Sequence, residues 1–253
     1  MLSPEEHIEH FSDRLKLVVS PAHTFGTDAL LLAAFSLPSR REKALDLGTG
    51  CGVVPFYWLL KGAKNVSGLE VQPAGAGQFR RSIALSGVEN DCRAIEADLR
   101  DAPDLLGRES FDLVSMNPPY TKKGGGIESG GESERLARHE TGVTLGEVCR
   151  AAGALLKFGG RFCVCLPPYR LTEAMLCMKE EKLEPKRLRF VSKTAAAAPW
   201  LFLLEGKKGR NPGLAVEPPF YLYTEDGRES EMLLALTEDY RRFAGKNDNG
   251  KDT

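Results

Sequence analysis

Short apolar runs alternate with stretches of helical spacing along the middle of the chain, and this pattern predicts the fold. Seven runs rich in branched and aromatic residues predict strands, at 43–47, 65–71, 92–97, 111–116, 161–166, 188–192 and 200–205. Between them, apolar residues recur with a helical period at 51–61, 73–86, 144–157 and 170–181. Strands that alternate with helices predict an α/β protein with a mostly parallel sheet covered on both faces.

Three segments do not follow this alternation. We predict one domain over residues 43–206, with an N-terminal extension over residues 1–42 and a C-terminal extension over residues 207–253 packed on the same domain. Each extension contains one stretch of helical spacing. The third segment, residues 121–140, is polar and rich in glycine. A loop of this length inside a compact domain is usually functional or disordered.

Charge and composition narrow the class of protein. The chain has 253 residues, 34 Lys and Arg against 35 Asp and Glu, and a formal net charge of −1. This balance excludes a globally basic nucleic-acid-binding protein but permits a local basic patch. No membrane span or secretory signal is visible, so we expect a cytoplasmic monomer with no membrane partner. The six cysteines lack the paired spacing of a zinc site, which predicts reduced core residues and no metal.

A glycine-rich turn follows the first strand of the repeat. The segment 45–52 reads Leu-Asp-Leu-Gly-Thr-Gly-Cys-Gly, and its glycines, Gly48, Gly50 and Gly52, allow a nucleotide to approach the backbone closely. A dinucleotide fingerprint would need glycine where the chain has Val53. Asp46 favours a cationic ligand over a pyrophosphate, and S-adenosylmethionine carries both a sulfonium and an amino group.

Two further acids follow the next two strands. Glu70 ends the second strand, where a carboxylate can accept both hydroxyls of a ribose. Asp98 ends the third strand, where it can accept the amino hydrogen of adenine, and we assign the adjoining Leu99 to the same pocket. The carboxyl ends of parallel strands meet at one edge, so these residues predict a continuous cofactor wall.

The tetrapeptide Asn117-Pro118-Pro119-Tyr120 follows the fourth strand and predicts the chemistry. An exocyclic amine on a base, or an amide nitrogen, is a poor nucleophile because its lone pair is delocalised. The Asn117 side-chain carbonyl and the Pro118 backbone carbonyl can accept its two hydrogens and favour a tetrahedral nitrogen. Tyr120 can stack on the target base. We therefore predict Asn117, Pro118 and Tyr120 as the catalytic residues of an amino-methyltransferase.

These two motifs together resemble the class I S-adenosylmethionine-dependent amino-methyltransferases. More narrowly, the chain resembles the bacterial tRNA (adenine-N6)-methyltransferases that modify an adenosine near the anticodon of a valine tRNA. The narrower resemblance rests on segments 25–28, 138–140, 185–191, 204–209 and 218–219, and it spans roughly residues 10–240. It implies a doubly wound, Rossmann-like seven-stranded sheet with the last strand antiparallel, S-adenosylmethionine as cofactor, and transfer of a methyl group to N6 of an adenosine in tRNA.

The resemblance also implies roles for single residues. Thr27 and Asp28 would cap the methionine end of the cofactor pocket. The matched cofactor residues are Asp46, Gly48, Gly50, Glu70, Asp98 and Asn117. Arg138 and His139 are interpreted as structural or substrate contacts, because the mechanism needs no general base. One departure is the run of four alanines at 195–198, where the family would have a more polar loop.

Basic residues offer contacts to an RNA backbone. The segment 186–210 holds seven basic residues and one acid, which favours a polyanionic partner. We predict phosphate contacts from Lys186, Arg187 and Arg189. Lys122 is either a phosphate contact beside the target base or an ordinary solvated loop charge.

Other functions share parts of this pattern. Protein-glutamine, rRNA-guanine and DNA-adenine methyltransferases also use an Asn-Pro-Pro-Tyr motif. The first group carries a helical N-terminal domain and the DNA enzymes a recognition domain, and neither is visible here. An NAD-dependent oxidoreductase is disfavoured by Val53, and a non-catalytic RNA-binding protein by the intact Asn117.

Overall fold

The computed structural model describes residues 2–118 and 142–242, which form an α/β fold. The strands, in chain order, are β1 (His7–His10), β2 (Lys16–Val19), β3 (Ala44–Leu47), β4 (Val66–Glu70), β5 (Cys92–Glu96), β6 (Phe111–Met116), β7 (Leu156–Leu166), β8 (Leu183–Ser192), β9 (Leu201–Lys208), β10 (Ala215–Val216) and β11 (Phe220–Tyr221). The helices are α1 (Thr27–Ser36), α2 (Val53–Leu60), α3 (Pro73–Ser86), α4 (Ala102–Leu106), α5 (Leu145–Leu155), α6 (Leu171–Glu180) and α7 (Glu231–Arg241).

The central sheet has the order β10-β8-β9-β7-β6-β3-β4-β5, with β11 also paired to β8. The strands from β7 through β5 are parallel, and β9 is antiparallel to both of its neighbours. The prediction of a mostly parallel sheet with an antiparallel last long strand is therefore confirmed. The sheet has nine strands where seven were predicted, because the two-residue strands β10 and β11 extend its edge.

Apolar side chains cover both faces of the sheet. On one face α1, α2 and α3 bury large rings, with Phe56, Trp58 and Phe79 fully enclosed. On the other face α5 and α6 pack on Phe162 and Phe202. Within the described ranges, no helix is both long and apolar enough to cross a membrane.

Local sequence signals fix the ends of two helices, α3 and α5. α3 begins at Pro73, which needs no partner for a backbone N–H in the first turn, and ends at Ser86, where Gly87 caps it with a φ of 59°. α5 begins with a capping box, in which Thr144 Oγ1 accepts the Glu147 N–H and the Glu147 carboxylate accepts the Thr144 N–H at 2.7 Å. The residues at the start of α5 are thus held in place beside the sheet edge.

The N-terminal extension contains a hairpin of β1 and β2 that the hydrophobic pattern does not predict. Its strands have four residues each, too few for a clear alternation. The hairpin packs along α3, where Ser82 Oγ accepts the Val18 N–H at 2.8 Å and Ser86 Oγ accepts the Lys16 N–H at 2.9 Å.

The two extensions also contact each other. The rings of Phe11, Phe25 and Tyr240 lie 5.2 to 5.8 Å apart, centre to centre. The Tyr240 hydroxyl donates to Glu9 Oε2 at 3.0 Å. The described part of the C-terminal extension therefore holds the N-terminal extension against the domain.

Candidate active site

A cleft of about 700 Å³ opens at the carboxyl ends of β3, β4, β5 and β6. Its walls also include the chain before α1 and the first turn of α5. Eight of the residues predicted from the sequence line it, namely Asp28, Gly48, Gly50, Glu70, Asp98, Leu99, Asn117 and Pro118. The alternating strands and helices thus bring distant motifs to one edge, as the pattern predicts.

The glycine turn forms the floor of this cleft and is held by Glu70. Gly48 and Gly50 have φ values of 62° and 57°, a region that favours glycine. A Cβ added at Gly50 would meet no atom within 4 Å, so bare backbone faces the cleft. The two Glu70 oxygens accept the N–H groups of Gly50 and Gln72, each at 2.8 Å. The carboxylate is therefore fixed in position, and its remaining lone pairs are available to a ligand.

Gly52 has a packing function and does not line the cleft. Its φ is 93°, and a Cβ there would lie 2.0 Å from the Phe79 ring. The third glycine of the turn thus allows α2 and α3 to approach each other. Its predicted contact with the cofactor has no support in this geometry.

Asp98 faces the cleft as a charged group. The Arg100 guanidinium donates to it, with Nε to Oδ1 at 2.9 Å, and the Arg100 N–H donates to Oδ1 at 2.9 Å. These hydrogen bonds hold the pKa of Asp98 below its ordinary value. Arg100 also lines the cleft, so a bound purine would meet an ionised carboxylate beside a cation.

Asp46 lies beneath the glycine turn and not on the cleft wall, in contrast to the sequence-based expectation. Its side chain is 2% exposed and accepts a hydrogen bond from Ser115 Oγ at 2.6 Å. Burial raises its pKa to about 7, and repulsion from Glu70 adds to the effect. β6 places Ser115 directly beside Asp46 in the register, so the carboxyl supports the turn from below.

The Asp46→Asn variant should have a weaker pH dependence of stability than the wild type. The pKa of Asp46 is raised in the folded state, so its stabilising contribution is complete below pH 4 and is lost as the pH rises towards and beyond 7. A shift of this size corresponds to a loss on the order of 4 kcal/mol. Denaturant unfolding at pH 5 and pH 8 measures the free energy of unfolding of both proteins. The stability of the variant relative to the wild type should be higher at pH 8 than at pH 5. The exposed Asp104→Asn variant is the control, because its difference in stability from the wild type should not change with pH. If the difference for Asp46→Asn were equally independent of pH, the prediction would be wrong.

Asn117 is held from two sides at the end of β6. Its Nδ2 donates to Asp28 Oδ2 at 3.0 Å, and its Oδ1 accepts from the Cys165 thiol at 3.0 Å. The carboxylate can only accept here, so it fixes which end of the amide is the nitrogen. One lone pair of Oδ1 remains for a substrate. Cys165 is fully buried, which makes it a packing partner for Asn117 that the sequence did not reveal.

The structure adds cleft residues that the sequence analysis missed and leaves others outside. His23, Arg100 and Arg170 line the cleft, and the sequence analysis assigned no role to them. Thr27 is not among the lining residues. The predictions for Tyr120, Lys122, Arg138 and His139 lie outside the described residues.

The predicted phosphate contacts do not line the cleft. Arg187 lies 4.2 Å over the Phe35 ring and pairs with Glu205 and Glu217. Arg189 also pairs with Glu217, at 3.1 Å, and Lys186 donates to a backbone carbonyl. The sequence window counted one acid, but the fold supplies others from distant segments. Their contact with RNA stays a prediction, and these partners weaken it.

Comparisons with known proteins agree with this geometry. Residues 22–130 match the methyltransferase small domain. The tRNA1(Val) (adenine(37)-N6)-methyltransferase of Parabacteroides distasonis is 26% identical over 221 residues, which is 85% of this chain and 89% of that protein. The enzyme of the same name from Dickeya chrysanthemi is 28% identical over 223 residues, 85% of this chain and 86% of that protein.

Solved structures share the fold. A predicted O-methyltransferase from Agrobacterium tumefaciens matches with a TM-score of 0.67 and 20% identity, over 84% of this chain and 96% of that one. A geranyl diphosphate C-methyltransferase from Streptomyces coelicolor, solved with S-adenosyl-L-homocysteine, matches with a TM-score of 0.53 and 12% identity, over 72% of this chain and 78% of that one.

The fold and the cleft define a class I S-adenosylmethionine-dependent methyltransferase. The similarity to the methyltransferase small domain covers residues 22–130, and the similarity to tRNA (adenine-N6)-methyltransferases extends over most of the chain.

The residues of the cleft fit S-adenosylmethionine. The volume of about 700 Å³ lies in the range of small-molecule sites. Glu70 offers fixed acceptors suited to ribose hydroxyls, Asp98 is ionised, and the backbone at Gly50 is open to the cleft. We therefore expect Gly48, Gly50, Glu70, Asp98 and Leu99 to hold the cofactor.

Proposed function

We propose that this protein transfers a methyl group from S-adenosylmethionine to N6 of an adenosine in tRNA. The observation that carries the proposal is the position of Asn117. Its amide lies on the same cleft as Glu70 and Asp98, with its nitrogen end held by Asp28. A target amine that enters beside Asn117 would therefore meet an acceptor directed by the protein.

The chemistry requires a nitrogen lone pair that is free to attack. S-adenosylmethionine, when bound, supplies an electrophilic methyl group on its sulfonium. Asn117 Oδ1 would accept one hydrogen of the amine, and the Pro118 carbonyl would accept the other. These acceptors favour a tetrahedral nitrogen and therefore act most strongly in the transition state. The attached proton becomes acidic after transfer, so no general base is needed beforehand.

Rigid placement of Asn117 also favours the reaction. Orientation of the two reacting groups contributes strongly to a displacement of this kind. Asp28 and Cys165 restrain Asn117 from opposite sides, and proline restricts the backbone at Pro118. The site thus needs no conformational adjustment of Asn117 before the amine binds.

The names of the relatives support adenosine 37 of a valine tRNA as the target. Both enzymes compared above carry that activity in their names, and the chain covers at least 86% of their length. We propose the same nucleotide for this chain. A DNA adenine, an rRNA guanine and a protein glutamine remain the alternatives that the test must separate.

The test is methylation of a defined transcript. We expect the purified protein to convert an unmodified tRNA1(Val) transcript to one containing N6-methyladenosine, detected by mass spectrometry of the digested nucleosides. A transcript with guanosine at position 37 should give no product. Methylation of a DNA hairpin of the same sequence at an equal or higher rate, or of neither nucleic acid, would contradict the proposal.

A further inference from the structure

An exposed tyrosine, Tyr169, lies beyond the carboxyl end of β7, one residue before Arg170, which lines the cleft. Tyr169 is 69% exposed, the highest exposure among the tyrosines of the described residues. It lies in a 3₁₀ turn, Pro168–Arg170, directly after β7. β7 is the parallel neighbour of β6, so both strands end at the same edge.

The turn that carries Tyr169 is rigid. Pro167 and Pro168 restrict its backbone, and the Arg170 N–H donates to the Pro167 carbonyl at 3.0 Å. Arg170 is buried and makes two hydrogen bonds to Glu173, at 2.8 and 2.6 Å. The backbone at Tyr169 is therefore fixed, while its ring projects into solvent. An aromatic side chain on a restrained backbone loses little conformational entropy when a partner stacks on it.

The sequence carries the same tripeptide at both strand ends. Pro-Pro-Tyr occurs at 118–120 after β6 and at 167–169 after β7. Tyr120 is the predicted stacking partner of the target base. Tyr169, which follows the strand paired with β6, is suited to a base beside the target, since every base offers a face for stacking.

We propose that Tyr169 stacks on an unpaired nucleobase adjacent to the methylated adenosine. The inference rests on the proposed function and specifies how that site holds single-stranded RNA. Sequence-tolerant stacking of this kind is how proteins hold RNA loops whose bases are splayed out. Tyr169 is thus a substrate-binding residue and not a catalytic one.

The matched control lies at the other end of the same strand. Phe158 is 72% exposed and belongs to the first half of β7, away from the edge that holds the cleft. Phe158→Ala therefore removes a similarly exposed ring from the same strand, at the end that packs on Gly209 and Arg210 and not at the end that carries Tyr169. Tyr169→Phe keeps the ring and removes the hydroxyl.

The experiment measures binding and methylation of an anticodon stem-loop RNA by these variants. Tyr169→Ala should weaken RNA affinity and raise KM by about 5- to 100-fold, with kcat changed far less. Tyr169→Phe and Phe158→Ala should match the wild type, and affinity for S-adenosyl-L-homocysteine should be unchanged in all three variants.

An RNA with an abasic site isolates the contact. If Tyr169 stacks on a flanking base, removal of that base should weaken the wild type and abolish the further loss caused by Tyr169→Ala. Wild-type affinity and KM for Tyr169→Ala, or equal losses for Phe158→Ala, would overturn the inference while leaving the proposed function intact. A wild type that neither binds nor methylates the RNA would overturn both.

Discussion

The Asn117→Ala variant should lose methyl transfer by a factor of about 10²–10³ while retaining most of its affinity for the cofactor. The lost carbonyl interacts most strongly with the tetrahedral nitrogen of the transition state, so kcat should fall more than KM rises. Single-turnover transfer from labelled S-adenosylmethionine to a tRNA1(Val) transcript measures the effect. Calorimetry with S-adenosyl-L-homocysteine shows whether the cleft is intact.

Two further variants make this prediction specific. Asn211→Ala is the same change at an exposed position outside the cleft and should keep the wild-type rate. Asn117→Asp keeps the shape but places a carboxylate beside Asp28, 3.0 Å from the amide nitrogen in the wild type, and should also be inactive. A near-normal rate for Asn117→Ala would mean that the tetrapeptide serves the fold and not the reaction.

The Glu70→Gln variant should bind the cofactor about 10- to 100-fold more weakly. Each oxygen of Glu70 accepts a backbone N–H at 2.8 Å, and an amide side chain can replace only one of these acceptors. Both the glycine turn and the ribose site would then lose a hydrogen bond, each to a charged acceptor. Calorimetry with S-adenosyl-L-homocysteine gives the dissociation constant, and thermal unfolding reports any loss of structure.

Glu96 supplies the control for this second variant. It pairs with Glu70 in the register of β4 and β5 but forms an exposed ion pair with Arg80 and does not line the cleft. Glu96→Gln should therefore leave cofactor affinity unchanged. If both glutamine variants bound equally well, Glu70 would have no part in the cofactor site.

The fold of the repeat could be predicted from the sequence because its signals are local. The run 111–116 and the helix 73–86 were predicted with the bounds that the structure gives them. The hairpin of β1 and β2 could not be predicted, because it is stabilised by serine hydroxyls more than 60 residues away in the chain. The two-residue strands β10 and β11 likewise exist only because β8 offers a free edge.

For the candidate site, sequence identified the residues better than their roles. Glu70, Asp98 and Asn117 reach the cleft because each lies at, or just beyond, the carboxyl end of a parallel strand. Asp46 also lies near the carboxyl end of its strand in the sequence. Its side chain, however, is buried beside β6, where it accepts a hydrogen bond from Ser115. The charge of the 186–210 segment could not be judged from that window alone, since the partners Glu109 and Glu217 come from outside it. The face of the sheet on which a side chain lies, and the residues that it contacts there, depend on the assembled sheet.

The hydrogen bond between Asp28 and Asn117 has a consequence for engineering. The tetrapeptide belongs to the α/β repeat, whereas its carboxylate partner comes from the N-terminal extension, 89 positions earlier. A transplant of the tetrapeptide alone into another methyltransferase scaffold would leave Asn117 without the acceptor that fixes its nitrogen end. The transferable unit comprises the start of α1, the end of β6 and Cys165 of β7, and a design that moves the tetrapeptide must move both of its partners.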